Sequence, residues 1–170
     1  MTKYKIVEIP DERLRQISKP VDVTEEGLDE LLEDMLSLMY ETHGVGLAAP
    51  QIGLLKRLVV IDISKEKNDP IYLINPEIIW KSEEKQNEHE GCLSIPNQYA
   101  SVERHLAVTV RYTDKDRKQQ ELSAEGFLAI ALQHEIDHLN GVLFIDYLSP
   151  LKRKMLLKRL EKRRKLEKCE

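Results

Sequence analysis

Residues 127–140 read FLAIALQHEIDHLN, an apolar helical run that carries His134, Glu135 and His138. Gly126 precedes the run and Asn140-Gly141 closes it, as helix boundaries do. Histidines four residues apart share one helical face, so both imidazoles of this HExxH pattern can reach a single metal ion. Glu135 stands beside them, where it can address a water on that ion. The flanking Phe127, Ile130, Ala131, Leu132 and Leu139 are not the residues of a solvated surface helix. The rest of the fold must therefore be built around this segment.

The chain has 170 residues, 41 % hydrophobic and 33 % charged. That is one domain's worth, read as a single unit over 1–170, with enough apolar content for one sizeable core. No apolar run approaches the roughly 18 residues of a membrane span. The opening MTKYKIVEIPDERLR lacks the features of a signal peptide, and only Cys92 and Cys169 are cysteines. A disulfide framework is not expected, and the expected compartment is the reducing cytoplasm. Charge is unevenly spread. Ten lysines and arginines from Ser149 onward face only Glu161, Glu167 and Glu170, a net +7, while residues 1–148 hold 16 basic and 27 acidic residues, a net −11. A basic tail on an acidic body points to a polyanionic partner for the tail alone.

Pro10-Asp11 opens a short helical turn that Pro20 stops. Thr24 is placed to cap a helix with Glu25 and Glu26 in its first turn, and Leu28, Leu31, Leu32, Met35 and Met39 follow at helical spacing. GVGLAAPQIG (44–53), with three glycines and a proline, reads as a tight loop where backbone approaches something closely. Leu58–Ile63 has strand character. Ile71–Ile74 and Ile78–Trp80 read as short strands split by Asn75-Pro76, and the polar Ser82–Glu90 as a loop or solvated edge. Ala107–Tyr112 alternates, and Asp114–Arg117 turns it into a partner strand, Gln119–Ala124. Ser149-Pro150 starts a C-terminal helix, with Leu151, Met155 and Leu160 toward the body. The fold class is α+β, with short, mainly antiparallel sheets around the central HExxH helix, one helix in the N-terminal half and the basic C-terminal helix 151–170.

A working metal needs a third protein ligand and one open position. The pattern HExxHxxGxxH fails because residue 144 is phenylalanine. Glu161 sits among basic residues, where pairing with Lys165 is the better reading. Cys92, in the strand-like EGCLSIP (90–96), remains. A thiolate with two imidazoles suits Zn²⁺, Fe²⁺, Co²⁺ or Ni²⁺ and not Mg²⁺ or Ca²⁺.

GVGLAAPQIG (44–53), EGCLSIP (90–96) and HEIDHLNG (134–141), in that order, resemble the three signature motifs of peptide deformylases, and the version EGCLSIP with a long C-terminal helix resembles the bacterial type 1 branch. The resemblance implies removal of the formyl group from the N-terminal formylmethionine of new polypeptides, releasing formate. It implies Cys92, His134 and His138 as metal ligands. A hydroxide on the ion attacks the formyl carbon, with Glu135 as general base and then acid. The Gln51 amide and the Leu93 backbone N–H are implied as oxyanion donors. It further implies Fe²⁺ as the resident ion, with Zn²⁺, Ni²⁺ or Co²⁺ able to occupy a purified sample. Gly44 and Gly46 leave backbone groups open to an extended peptide. Val45, Phe127, Ile130 and Ala131 line an apolar slot for methionine. Glu90 completes the substrate-binding set and is the suggested partner of Arg104.

Tyr99 stands where some relatives of that family have arginine. His43, His89 and His105 lack motif context and read as structural or exposed. Related bacterial enzymes imply docking of the C-terminal helix on the ribosome near the exit tunnel; no membrane or DNA partner is expected. Two other classes fit parts of the sequence. A metallopeptidase would use the same helix but lacks the usual third ligand. A ribosome-associated protein with a closed structural metal would need more than one cysteine near the histidines and would leave Glu135 without a role.

Overall fold

The computed structural model describes residues 3–170. Three helices, α1 (Leu28–Glu41), α2 (Phe127–Leu139) and α3 (Pro150–Glu167), combine with seven strands: β1 (Gly46–Ala48), β2 (Leu58–Ile61), β3 (Ile71–Lys81), β4 (Lys85–Cys92), β5 (Ile95–His105), β6 (Ala107–Thr113) and β7 (Gln119–Glu125). Strands β1-β2-β3-β6-β7 form one sheet in that order, and β4-β5 form a separate ribbon. All these pairings are antiparallel. The α+β class follows.

α2 occupies the centre. Ten of its 13 residues are buried, from Ala129 to Leu139 with the exception of Asp137. Ala129, Ala131, Leu132, Ile136 and Leu139 pack with Val59, Ile61, Leu73, Val108 and Val110 of the larger sheet. Such a helix is stable only when neighbours cover every side, which is what sheet and ribbon together provide. α1 buries Leu28, Leu31, Leu32, Met35, Leu36, Leu38 and Met39 in a second cluster with Leu47, Leu58 and Val60. Its start differs from the expectation. Thr24 donates both its N–H and its hydroxyl to Asp22 Oδ1, which closes a local turn, and Gly27 at φ +79° caps the helix instead.

Three polar or glycine-rich segments fold more regularly than their sequences suggest. Gly46–Ala48 is a short edge strand, followed by a 3₁₀ turn at Ala49–Ile52. Asn75-Pro76 does not split β3. Asn75 takes φ +51°, the register shifts between Ile74 and Glu77, and its side-chain amide bridges the N–H and carbonyl of Val21. Proline is tolerated in a strand at such a bulge. Lys85–Cys92 is a strand, paired with β5 from Lys85↔His105 to Gly91↔Tyr99. Most of its side chains are solvated, so backbone pairing rather than an apolar face holds it.

α3 opens as expected, with the Ser149 hydroxyl accepting from Lys152 N–H at 3.3 Å and Pro150 in the first turn. Its buried stripe differs. Leu156 and Leu160 pack with Ile95, Val102 and Phe144, whereas Leu151 and Met155 are 69 % and 51 % exposed. An i, i+4 pair suffices for this narrow contact, and it leaves the residues one position earlier on the outer face.

Asp62, just beyond β2, ties α1 to the following loop. Its carboxylate accepts from the Tyr40 hydroxyl at 2.5 Å, from Ser64 N–H and hydroxyl at 2.9 and 2.6 Å, and from Asp69 N–H at 3.2 Å. Burial opposes its ionisation, but these donors outweigh burial and hold its pKa below the ordinary 3.8. The stabilisation is therefore present above the unfolded-state pKa and is lost as pH falls through the lower native value. Asp62→Asn should lower the unfolding free energy by about 1–3 kcal/mol near neutrality, with the deficit narrowing below about pH 4, as measured by urea denaturation across pH.

Candidate metal centre

Two of the expected ligands come from α2, one turn apart. Gln133 anchors this part of the helix: its Oε1 accepts from His105 N–H at 3.1 Å, and its Nε2 donates to the carbonyls of His105 and Ala129. The His134 and His138 rings stand 5.1 Å apart at 70°. Cys92 arrives from the end of β4, where the register breaks between Gly91 and Cys92 and turns the thiol inward. Its Sγ lies 3.3 Å from His138 Nε2, and the donor atoms of Cys92, His134 and His138 all lie within 4.8 Å of one another. Ligands at 2.0–2.3 Å around a tetrahedral ion stand roughly 3.5 Å apart, so this triad fits one such ion with a fourth position open.

The surrounding charges suit a cation. His134 Nδ1 meets Glu90 Oε1 at 2.8 Å, which leaves Nε2 for the cluster. Burial disfavours a charged His134 ring, but Cys92 and Glu90 outweigh it and raise the pKa. Those groups favour positive charge at this point, whether proton or metal. Burial holds the His138 pKa well below 6.5, as a neutral ligand requires. Glu90 is held in turn by Arg104, whose Nε and Nη2 reach its two oxygens at 2.8 and 2.9 Å. Burial opposes ionisation of Glu90; the hydrogen bonds from Arg104 and His134 win, and its pKa is lowered. Both of its oxygens are thus committed to protein partners.

Glu135 is buried, and its Oε2 has no hydrogen-bond partner among the described residues. Burial pushes its pKa up to about 7, against the pull of His134. Gly46 makes room for it: a Cβ at that position would lie 2.7 Å from Glu135 Oε1. A Cβ at Gly44 would lie 2.9 Å from Leu93 Cδ1 across the cleft. Neither glycine has a positive φ; both serve close approach. Gln51 Oε1 accepts from Ala48 N–H at 2.9 Å, which aims Nε2 at Ser94 Oγ (3.3 Å) and Cys92 Sγ (3.5 Å).

These groups meet at a cleft of about 490 Å³. Gly44, Val45, Gly46, Gln51, Glu90, Cys92, Leu93, Phe127, Ile130, Ala131, His134 and Glu135 all border it, and His138 closes the triad from behind. Sequence reasoning missed part of the wall. His43 and His89 border the cleft, as do Thr42, Glu88 and Tyr99. His105 is structural, its Nδ1 lying 2.7 Å from the Ser82 carbonyl oxygen. Asp137 and Tyr147 were also missed. Asp137 accepts from Arg104 Nη1 at 2.5 Å and from the Tyr147 hydroxyl at 2.8 Å, and the Arg104 guanidinium lies 4.6 Å from the Tyr147 ring centre. For Asp137 the only signal was its place inside the HExxH helix; Tyr147 had none.

An HExxH helix with a cysteine from a separate ribbon, in an antiparallel α+β fold, defines a metal-binding protein of the hydrolase type. Residues 3–154 match the model of the family described as polypeptide deformylase. The chain is 52 % identical over 164 residues to a peptide deformylase of Rhizobium meliloti, covering 95 % of this chain and 94 % of that one. It is 54 % identical over 168 residues to peptide deformylase 2 of Xanthomonas axonopodis, covering 97 % and 98 %. Among solved structures it is similar to a peptide deformylase from Legionella pneumophila, with TM-score 0.92, 49 % identity and 98 % of both chains covered. A peptide deformylase from Ehrlichia chaffeensis, solved in complex with actinonin, gives TM-score 0.90 at 37 % identity, covering 96 % and 98 %. The chain belongs to the polypeptide deformylase family.

Cys92→Ala should cut bound divalent metal to less than about a tenth of the wild-type stoichiometry, read by elemental analysis of anaerobically purified protein, while far-ultraviolet circular dichroism stays native.

Proposed function

We propose that this chain removes the formyl group from the N-terminal formylmethionine of newly made polypeptides and releases formate. The observation that carries the reading is the buried Glu135 carboxylate, unpartnered at one oxygen, beside a Cys92–His134–His138 triad at the floor of a cleft with an apolar wall. The triad suits one divalent ion: Fe²⁺ in the cell, with Zn²⁺, Ni²⁺ or Co²⁺ accepted in its place. When bound, the ion supplies Lewis acidity, polarising a carbonyl and lowering the pKa of water.

The chain's own groups supply the rest. Glu135, buried beside the triad with one oxygen unpartnered, takes the proton of the attacking water and hands it to the departing amine nitrogen, which could not leave unprotonated. The Gln51 amide, fixed through Ala48, and the Leu93 backbone N–H donate to the developing oxyanion. Val45, Phe127, Ile130 and Ala131 receive the unbranched methionine side chain. β1 lies at an edge of the larger sheet, and the backbone around Gly44 and Gly46 can pair with an extended peptide. A close fit around the formyl group disfavours an acetyl group by about 1–3 kcal/mol, the value of one methyl.

Residues 1–170 act as one cytoplasmic unit in this reading, and α3 docks on ribosomal RNA near the exit tunnel. The family match stops at residue 154, so most of α3 lies outside it. Arg153, Arg163, Arg164 and Lys165 pair with Asp146, Glu167, Glu8 and Glu161. Lys154, Lys158 and Lys162 form an exposed stripe at i, i+4 spacing with no ion pair among the described residues. Deleting 151–170 would uncover Ile95, Val102 and Phe144, so charge reversal is the cleaner probe.

Formate release from formyl-Met-Ala-Ser tests the reaction; no release by the metal-loaded protein would refute it. Glu135→Ala should retain the metal and lose at least about 10²-fold in kcat. Gly46→Ala should also retain the metal and lose about tenfold or more, because the new methyl displaces the Glu135 carboxylate. Reversing Lys154, Lys158 and Lys162 to glutamate should abolish co-sedimentation with ribosomes at low salt while short-peptide turnover persists. Unchanged sedimentation would exclude this docking face.

A further inference from the structure

The contact of His134 Nδ1 with Glu90 sets the direction of the ring but resists its tilting only weakly. The outer torsion of a histidine side chain is broad, so a ring that must offer Nε2 at one angle needs a second contact. Phe144 supplies it. Its ring lies nearly parallel to that of His134, at 23° and 6.3 Å between centres, within the range of an offset stack. His138, by contrast, meets His134 edge-on at 70°. Position 144 is where the pattern HExxHxxGxxH would put a third histidine. The phenylalanine in its place bears on the ring of the first histidine instead. A tight reversal after α2 brings it there. Gly141 turns at φ +72° and has no room for a Cβ, which would lie 2.4 Å from the Arg15 carbonyl oxygen. Leu143 N–H then donates to Asp146 Oδ2 at 3.0 Å, and Arg15 Nη1 donates to the same oxygen at 2.6 Å, which closes the turn that carries Phe144. Phe144 is 1 % exposed and is the largest fully buried side chain among the described residues. Ile95 and Val102 of β5 and Leu156 and Leu160 of α3 surround it, and Cys92 packs against the same cluster. One apolar cluster therefore backs two of the three triad residues, which come from different elements.

We propose that Phe144 is a positioning residue for the metal site: its ring fixes the plane of the His134 imidazole, and so the direction in which Nε2 points among the donor atoms. The proposal rests on the reading of Cys92, His134 and His138 as ligands of one ion. An imidazole nitrogen binds a cation along its lone pair, which lies in the ring plane, so a tilted ring holds the ion less tightly. Neighbours that hydrogen-bond to a ligand are worth about ten-fold or more in metal affinity. A stacked ring is a weaker constraint than a charged hydrogen bond, so its loss costs less, about three- to ten-fold.

Release of Co²⁺ to an excess of chelator tests the proposal, followed through the visible absorption of the cobalt-loaded protein under anaerobic conditions. Phe144→Leu and Phe144→Met should load one ion and release it about three- to ten-fold faster than the wild type. Their absorption bands should shift, because the ligand geometry changes. Phe144→Met fills the space with a flexible chain but offers no flat face, and it carries the test where Phe144→Leu does not fold. Leu31→Ala cuts into the separate cluster around α1 and should lose stability yet release cobalt at the wild-type rate. Wild-type release from Phe144→Met would overturn the proposal. So would release from Leu31→Ala as fast as from the Phe144 variants, which would assign the effect to a general loosening of the fold. A wild type that binds no cobalt overturns the ligand reading itself, whereas bound cobalt with unchanged release overturns only the role of Phe144.

Discussion

The guanidinium of Arg104 is the buried charge on which the metal centre rests. Removing such a group from water costs several kcal/mol, and it is tolerated only where partners occupy its donors. Here they come from separate stretches of chain: Glu90 on β4, Asp137 on α2 and the Tyr147 ring beyond it. One side chain of β5 thus fixes the ribbon against the central helix. Glu90, pinned from behind, holds His134 Nδ1 and decides which ring nitrogen is left for the triad. The ligands come from elements far apart in sequence, and the charged network is what makes their mutual geometry reproducible.

Close approach is the second theme. Gly46 admits the Glu135 carboxylate and Gly44 admits the Leu93 side chain, so the two walls of the cleft meet at glycines. Gln51 shows the same economy. One end of its amide is satisfied by Ala48 N–H, and the other is thereby aimed at Cys92 Sγ and Ser94 Oγ. Such groups are preorganised by the folded chain, which is where electrostatic assistance to a reaction is strongest.

What could be read from the sequence divides along the range of the interactions. The HExxH face, the apolar stripe of α1 and the Ser149-Pro150 start of α3 are local patterns with periods of one helical turn. Each is found where the residues put it. Cys92 was reachable by chemistry, because the histidines needed a third ligand and the other candidates failed. β4 was not legible, since its side chains are mostly solvated and its partner lies beyond the following turn. Thr24 misled because Asp22 competes for its hydroxyl, a choice decided by turn geometry. His43 and His89 reach the cleft only through tertiary packing, and so do the links from Arg104 to Asp137 and Tyr147. The resemblance to known motifs supplied the Arg104–Glu90 pairing that periodicity could not.

The thiol at position 92 has a chemical consequence. Cysteine is oxidised through its thiolate, and a sulfenic acid is rescued when a second thiol closes a disulfide with it. The only other cysteine, Cys169, is exposed and lies beyond the end of α3. With no second protein thiol beside it among the described residues, a Cys92 sulfenic acid can be rescued only by a thiol from outside the molecule, before further oxidation to the sulfinic state makes the change irreversible. Upkeep of that thiol thus falls to reductants in the surrounding solution rather than to any chemistry of the chain itself.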